Sequence, residues 1–228
     1  MSNIFELRQY TLKPGKRDVL IDLFERQFVE SQEAEGIDLI GTFRDADNTD
    51  RFVWLRGFAD MESRARSLAA FYGGPVWKAH RNAANDTMID SDNVLLLRAA
   101  WEDSGFENEG TRASPSATGS AQGAVIASIF TFDAPVTQAF IEAWRAMMPG
   151  RIQNAGGRLV ATCITESSVN TFAALPVREG ENVFVSFALF PSANAACATE
   201  LPVQLEQLCA KPPEVLRLYP TARSRLHR

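Results

Sequence analysis

The chain has few of the residues on which catalysis and cross-linking most often depend. It holds three cysteines and two histidines in 228 residues. Cys163, Cys197 and Cys209 are odd in number and lack C-x-x-C spacing, which excludes a disulfide framework and a thiolate zinc site and leaves them as small core-filling residues. No apolar run approaches the ~20 residues that cross a bilayer. The stretch Met1-Ser2-Asn3-Ile4-Phe5-Glu6 leads into a charged strand and not a signal peptide's apolar core, so a soluble cytoplasmic protein without a membrane partner is expected. A net charge of −5 with scattered Lys and Arg gives no basic patch and argues against nucleic acid. There is no G-x-G-x-x-G, Walker loop or nucleophile elbow, so nucleotide binding and serine hydrolysis drop out.

What the chain does have is a repeat. Residues 4–43 and 124–163 run in register without a gap: Ile4 to Leu12 aligns with Ala124 to Phe132, Gly36 with Gly156, and Leu39-Ile40-Gly41-Thr42-Phe43 with Leu159-Val160-Ala161-Thr162-Cys163. Residues 4–12 alternate, with Phe5, Leu7 and Gln9 on one side and Glu6, Arg8 and Tyr10 on the other, the period of a strand with two unlike faces. Lys13-Pro14-Gly15 closes it. A helix of about five turns follows, with Val19, Leu20, Leu23, Phe24 and Phe28 as its apolar stripe and Gly36 as its stop. Residues 37–44 and 51–58 pair as a hairpin around an Asp/Asn-rich turn. Residues 61–71 and 76–85 read as helix, interrupted at Gly73-Gly74-Pro75, and 93–100 as a strand.

The second copy repeats the order: strand 124–132, a helix from Pro135 to Asn154 striped by Val136, Phe140, Trp144 and Met147 or Met148, a hairpin of 158–166 with 182–190, a helix near 192–209 and a strand 214–219. The division is therefore 1–101, a flexible Ser/Gly/Ala-rich linker 102–123, and 124–228. The fold class is α+β: two tandem ferredoxin-like βαββαβ repeats, each with a sheet face left bare by its helices. Two such faces meeting form the dimeric α/β barrel arrangement, within one chain or between chains, and a homodimer or higher homo-oligomer is the expected assembly.

The stretch Phe5-Glu6-Leu7-Arg8-Gln9-Tyr10-Thr11-Leu12-Lys13-Pro14-Gly15, with Gly41, Phe52-Val53-Trp54-Leu55, residues 59–66 and Trp77, resembles the NIPSNAP family of the dimeric α/β barrel superfamily. The resemblance covers nearly all of the first copy; the second keeps the layout and loses the motif. It implies the barrel fold but no one reaction, because the superfamily spans cofactor-free monooxygenases, isomerases and decarboxylases, haem enzymes and members without known activity.

Two differences between the copies point to chemistry. Glu6, Arg8 and Tyr10 correspond to the mostly apolar Ile126, Ser128 and Phe130. If Phe5 and Leu7 pack on the helices, the trio points into an inter-sheet cavity, either as an ion pair that fixes the interface or as ligand contacts. The first copy also carries an insertion around residues 71–82 that holds His80 beside Trp77 and Arg81, and histidine is the usual general base in a metal-free site. The candidate catalytic residues are His80 as base, Arg8, or else Arg98, for a developing oxyanion and Tyr10 as hydrogen-bond donor. Glu6, Phe43, Trp54, Trp77 and Arg98 are the candidate substrate contacts. No metal is expected, since Asp86, Asp90 and Asp92 have turn and cap spacing, and no cofactor is expected, although superfamily relatives would allow His80 to ligate haem. The functional expectation is a cofactor-independent oxygenase or isomerase acting on a small, largely apolar organic molecule; its rival is a non-catalytic binding or assembly protein.

Overall fold

The computed structural model describes residues 2–107 and 110–228, with the backbone alone for 195–197. The first repeat runs β1 (Ile4–Leu12), α1 (Arg17–Leu23), a π-turn (Phe24–Phe28), α2 (Val29–Glu33), β2 (Asp38–Asp45), β3 (Arg51–Phe58), α3 (Met61–Gly73), α4 (Pro75–Asn85), the short β4 (Met88–Asp90) and β5 (Val94–Ala99). The second runs β6 (Ala124–Thr131), α5 (Gln138–Asn154), β7 (Arg158–Thr165), β8 (Val183–Phe190), a 3₁₀ segment (Ala193–Thr199), α6 (Val203–Glu206) and β9 (Glu214–Pro220).

Each repeat builds a four-stranded antiparallel sheet, ordered β5-β1-β3-β2 and β9-β6-β8-β7. The sheets join at both edges. Phe43–Asp45 of β2 pair with β9, and Leu97–Ala99 of β5 with β7, so eight strands close into one barrel within a single chain. Closure thus rests on three paired residues at each seam, which tie the edge strands of the two sheets together.

Strand alternation then decides what fills the barrel. Phe5 and Leu7 of β1 turn inward and pack with Phe43, Val53, Leu55, Leu95 and Leu97 of their own sheet and with Val125, Ala127, Ile129, Val185 and Phe187 of the other. Phe106, from the segment between the repeats, lies edge-on to Phe5 at 5.2 Å and joins this core with Leu226 from the C-terminal tail. The expected facing is thus reversed. The space between the sheets is an apolar core, and Glu6, Arg8 and Tyr10 point outward into the layer between sheet and helices. The physical reason is partner supply. An eight-stranded barrel is just wide enough for side chains to fill it, whereas a buried carboxylate, guanidinium and phenol need polar partners, and these stand on the helix side of the sheet: Arg56 of β3, Gln32 of α2 and Arg64 of α3. Gln9, on the inward face, shows the cost of the other choice: it is buried, and neither its Nε2 nor its Oε1 has a partner.

The repeat extends to backbone irregularities. Pairing slips between Leu39 and Gly41 in β2 and between Leu159 and Ala161 in β7, the same bulge in both copies. A Cβ on Gly41 would meet the Phe43 ring at 2.4 Å. The second copy carries Ala161 with Cys163 at these places, trading volume from the ring to the bulge. Burial pushes the Cys163 thiol well above its ordinary range. Cys209 packs half-buried against the second helical layer, and the side chain of Cys197 lies outside those described.

Two helical expectations change. The first helix buries Leu20, Ile21, Phe24, Phe28 and Val29, while Val19 faces solvent, because the π-turn adds a residue and rotates the buried face. The helix expected near 192–209 is broken into the 3₁₀ segment and α6, since Pro202 cannot continue a helix interior and stands instead as the N-cap of α6. Of Met147 and Met148, Met148 is the buried one. The segment 102–123 includes buried Ser104 and Phe106, and Arg112, which reaches Glu33 at 2.6 Å.

Candidate functional site

The site lies between the first repeat's sheet and its helices. Pairing of β1 with β3 sets Glu6 opposite Arg56 and Arg8 opposite Trp54. Asp60 caps α3 by accepting from the Ser63 N–H, and that helix start carries Arg64 over the same strand face. Three guanidiniums converge on one carboxylate. Arg8 Nη1 and Arg56 Nε donate to Glu6 Oε2 at 2.7 Å each, and Arg64 Nε donates to Glu6 Oε1 at 2.6 Å. All four side chains are essentially inaccessible. Arg8 Nε donates to the Tyr10 hydroxyl at 3.0 Å, and Arg56 Nη1 to Gln32 Oε1 at 3.1 Å.

Burial by itself would raise the Glu6 pKa, but Arg56, Arg8 and Arg64 together hold the carboxyl far below the usual range. Burial also depresses the Arg64 pKa, against the pull of Glu6. Tyr10 is pushed up by burial, so its phenol stays protonated and its O–H remains a donor while its oxygen accepts from Arg8. One carboxylate does not satisfy three guanidiniums. Arg64 Nη2 lacks a hydrogen-bond acceptor, as does the buried indole N–H of Trp54, while Arg56 Nη2 lies 2.7 Å from Glu6 Oε2 without the alignment of a hydrogen bond. Every orphan in this part of the layer is a donor.

An aromatic wall stands beside the charges. Arg8 lies 5.4 Å from the centroids of both Tyr10 and Trp54, and Arg56 lies 5.0 Å from Trp54. Phe24 and Phe28 from the π-turn, Phe71 and Tyr72 from α3 and Trp77 from α4 complete the wall around a void of about 20 Å³. That is room for a single water.

The larger space is one strand away. A pocket of about 600 Å³ opens on the outer face of β5 and β7, lined by Leu96, Arg98, Val136, Ile164 and the loop 166–182. Leu96 is the register partner of Glu6, so the pocket floor continues the strand face that carries the charged cluster. The same loop separates the two spaces. Asn170 Oδ1 and Thr171 Oγ1 accept from Arg64 Nη1 at 3.0 and 3.3 Å, and Phe172 stacks on Tyr72 at 5.8 Å. Leu175 and Val177 pack on the first repeat's helical core. The second repeat thus covers the first repeat's site.

The structure brings together Glu6, Arg8, Tyr10, Trp54 and Trp77. Arg98 stands apart on the pocket rim, half exposed and 3.9 Å from Glu166. Phe43 lies on the opposite face of the sheet, in the barrel core. His80, on α4, meets Phe28 edge-on at 6.4 Å and lines neither cavity, a placement that does not fit axial ligation of a haem in either. Sequence reasoning missed Arg56, Arg64 and Asn170. Arg56 shares a strand face with Trp54 and could have been found by pairing β1 with β3, and Arg64 lies inside the 59–66 stretch; Asn170 gave no signal beyond its place in a long hairpin loop.

A closed antiparallel barrel made from two ferredoxin-like halves is a dimeric α/β barrel, here fused in one chain. The model of the NIPSNAP family matches its first half, over residues 5–102. A candidate monooxygenase of Fusobacterium nucleatum subsp. nucleatum ATCC 25586 superposes with a TM-score of 0.56 at 7% identity, over 96% of this chain and 92% of that one. A candidate monooxygenase of Lactobacillus acidophilus NCFM gives 0.52 at 15% identity, over 98% and 97%. An anthrone oxidase-like protein gives 0.52 at 14% identity, over 100% and 96%. At these identities the likeness is one of fold. No curated protein sequence matches the chain. Among the described residues no helix is long and apolar enough to cross a membrane.

Proposed function

We propose that the chain binds a small, largely apolar organic molecule in the pocket on β5 and turns it over by cofactor-independent oxygenase or isomerase chemistry. The observation that carries this reading is a pocket of about 600 Å³ on the strand face that continues into the Glu6–Arg8–Tyr10 cluster, within the size range of small-molecule sites. The inter-sheet cavity first expected for this role is filled, and the substrate's place moves to the outer face of the sheet. There Arg98 stands at the rim to hold a developing oxyanion, and Tyr10, kept protonated by burial, supplies a hydrogen bond from the inner end once the intervening loop moves.

Anthrone, the compound named for one of the fold relatives, is a suitable first probe, since its activated C–H bond and its reaction with dioxygen need no bound group. Oxygen uptake by the full chain with anthrone, and its fall by about tenfold or more in Tyr10→Phe and Arg98→Ala, is the expected result. Uptake equal to the protein-free rate, or unchanged in both variants, removes the catalytic reading. The placement of His80 outside both cavities favours a second reading, a binding protein without catalysis, in which ligand is held and no oxygen is consumed.

A further inference from the structure

The charge of the buried cluster is unbalanced in one direction. Arg8, Arg56 and Arg64 converge on a single carboxylate, and Glu6 is the one acidic side chain in an ion pair with any of them among the described residues. Buried charges are ordinarily paired, and buried donors without acceptors signal an absent partner. The unpartnered atoms of Trp54 and Arg64 are both N–H donors, so the absent partner is rich in acceptors. The pocket walls do not supply it. Arg178 is paired with Glu181 at 2.7 Å, Arg98 is near Glu166 at 3.9 Å, and Glu179 faces solvent.

The loop over the cluster already imitates such a partner in neutral form. Asn170 and Thr171 offer an amide and a hydroxyl oxygen to Arg64, and Phe172 places an aromatic ring two residues further on against Tyr72. Asn170 also lines the 600 Å³ pocket, so this one side chain stands between the guanidinium and the open space. We propose that the site takes an organic anion, whose carboxylate or equivalent acid group displaces Asn170 and Thr171 from Arg64 while its apolar body occupies the pocket on β5. The inference rests on that pocket being a ligand site and adds the chemical class of the ligand. Planar, two-point pairing with a carboxylate is what guanidiniums do best. The loop 166–182 then acts as a stopper: a neutral, weaker acceptor holds the Arg64 guanidinium until an anion replaces it.

The test uses the full chain and aryl carboxylates from benzoate to naphthoate, each compared with its neutral carboxamide by calorimetry. Saturable binding of a carboxylate, with the amide weaker by roughly tenfold or more, is expected from losing a charge-assisted contact. Arg64→Met should abolish the preference. Because that variant alters a buried cluster, Asn170→Asp is the companion: it places a carboxylate of the chain itself at Arg64, and should raise the melting temperature and weaken carboxylate binding by roughly tenfold or more. Amide binding equal to carboxylate binding overturns the anion and leaves the pocket's apolar ligand standing. No saturable binding across the series, a response to inorganic chloride as large as that to the carboxylates, or binding that survives Asn170→Asp overturns the proposal. Turnover of anthrone is a separate readout, so loss of the catalytic reading leaves this one decided on its own data.

Discussion

Replacing Glu6 by Gln tests the electrostatic account of the cluster most directly. The two side chains have nearly the same volume, so packing is kept and the charge alone is removed. The wild-type carboxylate receives hydrogen bonds from Arg8, Arg56 and Arg64 within 2.6–2.7 Å in a fully buried setting. Removing one partner of a buried pair leaves an uncompensated charge and costs about 3–5 kcal/mol, against about 0–1 kcal/mol for an exposed pair. At about 2–4 °C per kcal/mol for a chain of this size, the melting temperature should fall by about 6–20 °C at pH 7.

The pH dependence fixes the cause. The folded Glu6 pKa lies below its unfolded value, so its contribution is fully present above the unfolded carboxyl pKa, about 4.3. It is lost as pH falls from there towards the folded value. Wild-type stability should therefore drop on acidification below about pH 4.3 faster than that of Glu6→Gln, and the two melting curves should approach each other. The assay is calorimetric or circular-dichroism melting of both proteins from pH 7 to 3. A difference under about 1 kcal/mol at pH 7, the worth of a surface pair, or one that does not narrow in acid, refutes the reasoning.

Other expectations follow from the same structure. Gln9→Met removes two unsatisfied polar atoms from the barrel core at nearly constant volume and should stabilise the protein by about 1–3 kcal/mol in urea unfolding; a loss of stability would mean that the amide has a partner. Gly41→Ala should cost about 1–3 kcal/mol because its Cβ meets the Phe43 ring, and close to nothing in a Phe43→Cys background, which a double-mutant cycle would show as coupling. Phe172→Ala removes the stack on Tyr72, worth about 0.5–1.5 kcal/mol, and should speed amide exchange in residues 168–177 while leaving the barrel strands protected; uniform exchange changes would tie the loop to the global fold.

The division between what the sequence made legible and what it did not follows the range of the interactions. Element order, the hairpins and the barrel class came from periodicity and from the duplication, because strand and helix periods are local and occur twice. The facing of β1 did not. Alternation places Phe5 and Leu7 on one side and Glu6, Arg8 and Tyr10 on the other, but which side meets the second sheet depends on where partners for the charges lie, and Arg56, Gln32 and Arg64 come from three other elements. The π-turn was hidden for a related reason: a widened turn rotates the helix on one side of it relative to the other, so that Val19 leaves the stripe and Ile21 joins it, and composition carries no sign of this. Trp54 and Trp77 were readable because both belong to the stretches that carry the family resemblance, whereas Phe43, grouped with them in sequence, falls on the other face. Asn170 was unreadable, since a loop residue's contact across the barrel seam leaves no periodic trace.

The contact across the seam also revises how the two copies share the work. Glu6, Arg8 and Tyr10 occur in the first copy alone, which suggests an active half and a scaffold half. Yet the hairpin loops are unequal in the other direction: residues 46–50 join β2 to β3, while residues 166–182 join β7 to β8 and reach over α3 to Arg64 and Tyr72. Long loops without secondary structure in compact domains are uncommon and usually functional. Two identical halves would carry the same motif and the same loop, giving two equivalent sites, each with its own cover. Fusion of the halves in one chain frees the copies to differ, so one can keep the charged strand and a tight turn while the other keeps an apolar strand and grows the cover. The second copy's loss of the Glu-Arg-Tyr pattern is then what a cover-bearing half needs. Ser128, in place of Arg8, donates to Thr199 Oγ1 at 2.9 Å within its own layer, a neutral contact where the first copy has a guanidinium. The candidate site thus draws on both repeats, its charge supplied by the first and its cover by the second.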